Sequence, residues 1–83
     1  MTPTEIAALS PEDRTQLFQQ LAERRYGPKK TLELCGEEMG YGRRTVYDWV
    51  KLHSVPLPVL YSLTAWETSA TVAATLAALH QRP

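Results

Sequence analysis

Cys35-Gly36, Met39-Gly40, Val46 and Trp49 stand at a spacing that few arrangements of a short chain produce. A small residue at Gly36 is followed by a glycine four positions on, a β-branched residue six beyond that and an aromatic three further. Such a pattern packs one short helix across another through a tight turn, and leaves the outer side of the second helix free. Gly36 costs about 1 kcal/mol relative to alanine inside a helix. That cost makes sense where another backbone comes close, and the crossing helix is expected there. Gly40 falls where the chain must leave the first helix with positive φ. Tyr41 is expected to turn inward as a plug, and Val46 and Trp49 to close the contact.

The rest of the chain is punctuated for helices. Alternating β-branched runs and hairpin dipeptides are absent from the sequence. Thr2-Pro3-Thr4-Glu5 supplies a cap, a first-turn proline and an acid three after the cap, opening a short helix through Leu9. Ser10-Pro11-Glu12-Asp13 repeats the signal and opens a longer helix, with Leu17, Phe18, Leu21 and Ala22 on one stripe. Tyr26-Gly27 closes it, Gly27 as a left-handed cap, and Pro28 starts the next element. A helix from about Lys29 to Met39 follows, with Leu32, Cys35, Gly36 and Met39 inward. Another runs from about Arg43 to Leu52, with Val46, Trp49 and Val50 inward. Ser54-Val55-Pro56-Leu57-Pro58 breaks it and starts a further helix with Leu60, Leu63 and Trp66 as core. Thr68 or Ser69 caps a last, alanine-rich helix over 68–83. The expected fold is all-α, a compact bundle of about five short helices containing a helix-turn-helix, within one domain spanning 1–83.

With 83 residues the core is modest, and a partner chain would add apolar contact that one copy lacks. Val72, Leu76 and Leu79 lie on one stripe of the last helix. No charged residue occurs between Thr68 and Leu79, so something is expected to cover that helix. It either packs on its own domain or forms a dimer seam.

Nine basic and nine acidic residues cancel, which argues against nonspecific coating of nucleic acid by bulk attraction. The distribution says more than the sum. Seven bases fall between Arg24 and Lys51 against four acids, whereas Met1 to Glu23 carries four acids and one base. On the helix from Arg43, the direction opposite Val46, Trp49 and Val50 holds Arg44, Asp48 and Lys51, with Tyr47 at the shoulder. Two arginines in a first turn oppose the helix dipole, at about 0.3–1 kcal/mol each when exposed. That unfavourable placement points to something anionic outside.

A helix of this size fits the DNA major groove, and the residues of its first turns reach base edges. Arg44 and then Arg43 are the candidates for a two-point contact to guanine. Tyr47 suits a thymine methyl or a phosphate. Asp48 suits a cytosine amino group, or else an ion pair with Arg44 four residues away. Lys29, Lys30 and Thr31 at the start of the preceding helix, with Thr45 and Lys51, are candidates for phosphate. Arg24 and Arg25 either reach phosphate or complement the end of their own helix.

Leu21-Ala22-Glu23-Arg24-Arg25-Tyr26-Gly27, then Gly40-Tyr41-Gly42-Arg43-Arg44-Thr45-Val46-Tyr47-Asp48-Trp49, then Val55-Pro56 give the segment from Glu23 to Trp66 its character. It resembles the Cro/repressor-like helix-turn-helix regulators of phages and prophages. The resemblance covers roughly half the chain and implies sequence-specific DNA binding, usually as a dimer on an inverted repeat. Two positions depart from the family's pattern. Gly42 stands where the family usually has Ser or Thr as a cap, and Gly36 where it usually has Ala. Self-regulating repressors of phage anti-CRISPR operons are similar in size and layout.

The leading expectation is therefore a small transcriptional repressor or autoregulator, a cytoplasmic, nucleoid-associated homodimer on double-stranded DNA. Two other classes share the same helix pair. One is a DNA-binding accessory module of a packaging or recombination complex, and the other a protein-interaction domain without DNA binding. No nucleophile–base pair, phosphate-cradling loop, or Cys/His cluster of metal-ligand spacing occurs in the sequence. An enzyme, a cofactor, a metal, a small-molecule substrate and a membrane partner are accordingly not expected. Cys35, the single cysteine, sits at an apolar periodic position and is expected to be buried and structural.

Overall fold

The computed structural model describes residues 2–80 and forms five helices, with no strand among the described residues. They are α1 (Pro3–Ala8), α2 (Pro11–Tyr26), α3 (Thr31–Met39), α4 (Arg43–Lys51) and α5 (Leu57–His80). Met1 and residues 81–83 of the expected last helix lie outside the described residues.

The local signals that start α1 and α2 act as their chemistry requires. The Thr2 hydroxyl accepts from the Glu5 amide at 3.2 Å while the Glu5 carboxylate reaches back to the Thr2 amide, a complete capping box. The Ser10 hydroxyl accepts from the Asp13 amide, with Pro11 in the first turn. At the other end of α2, Gly27 has φ 85° and ψ 174°. This is positive φ with an extended ψ rather than the left-handed helical cap expected, a region open essentially to glycine alone.

The start of α3 differs from the sequence expectation. Lys29 is not helical, and Lys30 occupies the cap position in the left-handed region at φ 56°. Pro28 prevents a direct continuation from α2. The Thr31 hydroxyl donates back to the Gly27 carbonyl, which holds the intervening residues in a tight bend. The helix therefore begins at Thr31.

One core joins the elements. Ile6 of α1, Phe18, Leu21 and Ala22 of α2, Cys35 of α3, Val46 and Trp49 of α4, Val55 of the connection, and Val59, Leu60 and Leu63 of α5 are buried. Leu17, Leu32, Met39, Val50 and Trp66 pack at its margin. Trp66, expected in the core, is thus only half-buried; its ring lies beneath the Arg25 guanidinium, 4.0 Å from centroid to Cζ. Cys35 is buried as expected, with its thiol against the Met39 sulfur. Burial pushes the Cys35 thiol above its ordinary pKa, which disfavours the reactive thiolate.

The largest departure lies in the C-terminal third. No break occurs at Thr68-Ser69, and α5 is one helix of 24 residues. Those residues read as a cap because Ser and Thr can accept from backbone amides ahead of them. Here the Thr68 hydroxyl instead donates back to the Thr64 carbonyl, and Thr71 and Thr75 do the same to Glu67 and Thr71. After Pro58 in its first turn, no glycine or proline interrupts α5. At about 1.5 Å per residue the helix is about 36 Å long, and the molecule measures 51 × 28 × 19 Å. Its radius of gyration, 14.3 Å, exceeds the ~12 Å of a spherical domain of this length. No described helix is long and apolar enough to cross a membrane.

The stripe of Val72, Leu76 and Leu79 is 52%, 50% and 55% exposed. About half of each side chain is therefore left uncovered by the described residues, although Val72 borders a groove shared with Leu17 and Leu21 of α2. The threonines leave this face more apolar than its letters suggest. Hydroxyls committed to their own helix present methyl groups outward.

Candidate nucleic-acid interface

The pair α3 and α4 is built around Gly36. Its carbonyl accepts from the amides of both Gly40, at 2.8 Å, and Tyr41, at 2.9 Å. Gly40 sits between them in the left-handed region at φ 81°, so the helix ends in a Schellman turn. The backbone that comes close to Gly36 is the turn itself. A Cβ there would lie 2.7 Å from the Tyr41 carbonyl oxygen and 3.2 Å from Val46 Cγ2. The expected close approach is present, but the turn sets it at least as much as the crossing helix.

Gly36→Ala therefore combines two opposing effects. Helix propensity gains about 1 kcal/mol, while overpacking against a fixed carbonyl costs about 1–3 kcal/mol. The variant is expected to lose about 1 kcal/mol net, read as a lowered urea midpoint with an unchanged slope. A gain in stability would show that the turn can yield.

Tyr41 is less of a plug than expected, since it is 43% exposed. Its ring edge nonetheless meets Trp49 at 4.7 Å between centroids, and Trp49 meets Phe18 at 6.0 Å. This aromatic relay fixes α4 to both the turn and α2. At the far end of α4 the Ser54 amide donates to the Trp49 carbonyl, with His53 left-handed at φ 51°. The hydroxyl of buried Thr15 donates to the Pro11 carbonyl, and His53 Nδ1 lies 3.2 Å from the Thr15 hydroxyl oxygen. That contact ties the His53 turn to α2 across 38 residues of chain, too far apart for local pattern to show it.

With α4 fixed, its outer residues can be placed. Arg43, Arg44, Thr45, Tyr47 and Lys51 are exposed, and Asp48 is half-buried. Lys29 and Lys30 are exposed and Thr31 half-buried beside the start of α3. The start of α3 adjoins the start of α4, because Glu33 Oε1 lies 3.3 Å from Arg43 Nε. The first turns of α3 and α4 are thus neighbours, with Arg43 and Arg44 on that side of the molecule, while Lys51 stands at the far end of α4. The ion pair that spacing allows between Arg44 and Asp48 is absent among the described residues, and Arg43 is paired with Glu33 instead. The first turn of α4 has no side-chain cap, since Gly42 in extended conformation holds that position. Its amides point toward the same surface that the two arginines occupy.

Arg24 and Arg25, left open between phosphate and helix-end roles, are committed within the protein. Arg24 pairs with Glu67 of α5 at 2.6 Å, and Arg25 with Glu38 of α3 at 2.7 Å. They tie α2 to its neighbours. The Tyr26 hydroxyl also donates to Glu38. The hydrogen bond from Arg25 chiefly, and that from Tyr26, hold the Glu38 carboxyl below its usual pKa. Folded protein therefore binds fewer protons at Glu38 than unfolded protein does. The resulting stabilisation is present above the ordinary carboxylate range, near 4.3, and is lost as pH falls through the lowered value. Wild type and Glu38→Gln should differ in urea midpoint at pH 7 and converge as pH falls below the lowered Glu38 value. A Glu38 carboxyl that titrates by NMR at or above its ordinary value would contradict this.

Compared with known proteins, the chain matches no family model, no curated protein and no solved structure. The functional reading rests on this surface alone. Among the described residues no three metal-ligating side chains converge.

Proposed function

We propose that the chain is a sequence-specific binder of double-stranded DNA, a small transcriptional regulator acting as a homodimer on an inverted repeat. The observation that carries this reading is the outer face of α4, where Arg44, Tyr47 and Lys51 are exposed on a helix anchored from behind by Val46 and Trp49. In this reading α4 enters the major groove, with Arg43, Arg44, Tyr47 and Asp48 toward base edges. Lys29, Lys30, Thr31, Thr45 and Lys51 meet phosphate. Two copies join through Val72, Leu76 and Leu79, which the described residues leave about half exposed. Half-sites then lie about 34 Å apart, one helical turn. The chain works without cofactor or catalysis, in the cytoplasm at the nucleoid, and repression of its own or a neighbouring phage or prophage promoter fits its size.

Net neutrality makes salt the decisive variable. Three lysines per copy on phosphate predict a log–log slope of affinity against salt of about −5 for a dimer. The experiment selects duplexes from a random pool, measures that slope on the winner, and weighs the complex by sedimentation. A slope near zero, or no enrichment, favours the protein-interaction reading, which the neutral charge and the Glu33–Arg43 pair also suit. A free protein sedimenting at 9.4 kDa at every concentration would remove the dimer.

A further inference from the structure

Glu33 is an acid on a surface proposed to meet phosphate, and its geometry gives it a use there. Its Oε1 lies 3.3 Å from Arg43 Nε, while the Arg43 guanidinium lies over the Tyr47 ring, 5.4 Å from the centroid. The Arg43 side chain is otherwise 69% exposed. A guanidinium offers two hydrogen-bonding edges, one formed by Nε with one Nη and one by the two Nη groups. Glu33 stands as an ion-pair partner on the Nε side, and the Tyr47 ring lies under the guanidinium. The two contacts bias an otherwise long and mobile side chain toward an arrangement that leaves its terminal Nη pair free. Guanine presents O6 and N7 to the major groove at a spacing that such a pair matches.

Resting on the DNA-binding reading above, we infer that Glu33 is a specificity-determining positioning residue. It does not touch DNA, and it presents the terminal edge of Arg43 to one guanine in each half-site. An exposed ion pair of this kind does little for stability, and an acid in the first turn of α3 also suits the helix dipole, so the variants are read by discrimination and not by stability. The contrast with Arg44 is internal to the protein. Arg44 has no ion-pair partner among the described residues and must be ordered by DNA itself.

The test compares wild type, Arg43→Ala, Glu33→Ala and Glu33→Gln on the duplex that wild type selects from a random pool, and on copies with each guanine replaced in turn. Wild type should discriminate about tenfold at one G·C pair that Arg43→Ala no longer reads. Glu33→Ala should lose most of that discrimination at the same pair, although its binding to unrelated duplexes rises with the acid removed. Glu33→Gln keeps the size of the side chain but removes the charge of the ion pair, and should lose discrimination as Glu33→Ala does. Circular dichroism confirms that each variant is folded.

The inference is overturned if Glu33→Ala discriminates like wild type. It is equally overturned if Glu33→Gln discriminates like wild type, because the ion pair would then not be what presents Arg43. If Arg43→Ala reads every position normally, the inference falls while DNA binding through Arg44 stands. A wild type that enriches no sequence removes both.

Discussion

Replacing Arg43 and Arg44 together with alanine is expected to abolish sequence-specific DNA binding and leave the fold intact. A good two-point arginine–guanine contact contributes about 1–3 kcal/mol of discrimination. Losing two should weaken binding to the preferred duplex by roughly thirtyfold to ten-thousandfold. Binding to unrelated duplexes should fall far less, since Lys29, Lys30 and Lys51 remain. The fold has little to lose. Both side chains are exposed, the Glu33 pair is a surface contact, and alanine is at least as good a helix former as arginine. Removing two cations from the first turn of α4 even favours its dipole. Gel shift on the selected duplex and a thermal melt of the free protein check the two halves. An affinity within threefold of wild type, with an unchanged melt, would show that α4 does not read DNA.

Trp49→Ala should have the opposite signature, a large loss of stability from which loss of function follows. Trp49 is 6% exposed and bridges Tyr41 of the turn to Phe18 of α2. Truncating a buried tryptophan costs about 3–5 kcal/mol. A chain of this length has roughly 4–12 kcal/mol in total, so the variant should lose between about a quarter and all of its stability at 25 °C. Urea titration followed by circular dichroism at 222 nm measures this. A loss under 1 kcal/mol would mean that the aromatic relay is not what holds α4. Trp49→Phe, which keeps an edge-to-face partner, should recover much of the deficit.

Residues that act through helical periodicity were readable from the chain. Val46, Trp49 and Cys35 are buried where their spacing places them, and Gly36 is small because backbone comes close. The stripe of Val72, Leu76 and Leu79 was visible for the same reason. What could not be read depends on partners distant in sequence or on a choice between two bonds. Thr68 can cap a new helix or bond back into an old one, and its letter is the same either way. Glu33 and Arg43 meet because α3 and α4 cross at a particular angle, and ten residues of separation carry no trace of it. Arg25 likewise finds Glu38 and Trp66 on two other helices. The left-handed Lys30 and His53 are settled by contacts to Gly27 and Thr15 rather than by local preference.

The projecting end of α5 has a consequence for how such a molecule responds to its own abundance. Every residue from Ser69 to Leu79 is exposed, and an isolated helix of that length is marginal in water. Holding it helical works against about 1–2 kcal/mol of backbone entropy per residue, which contacts within one copy do not offset. Helical order in this arm and pairing with a second arm should therefore rise together as concentration rises. If two copies pair as proposed, the arm frays and the subunits part in dilute solution, and each dimer formed as the protein accumulates also completes a helix. Occupancy of the proposed two-part site would then climb more steeply than the protein level itself, a threshold that needs no ligand.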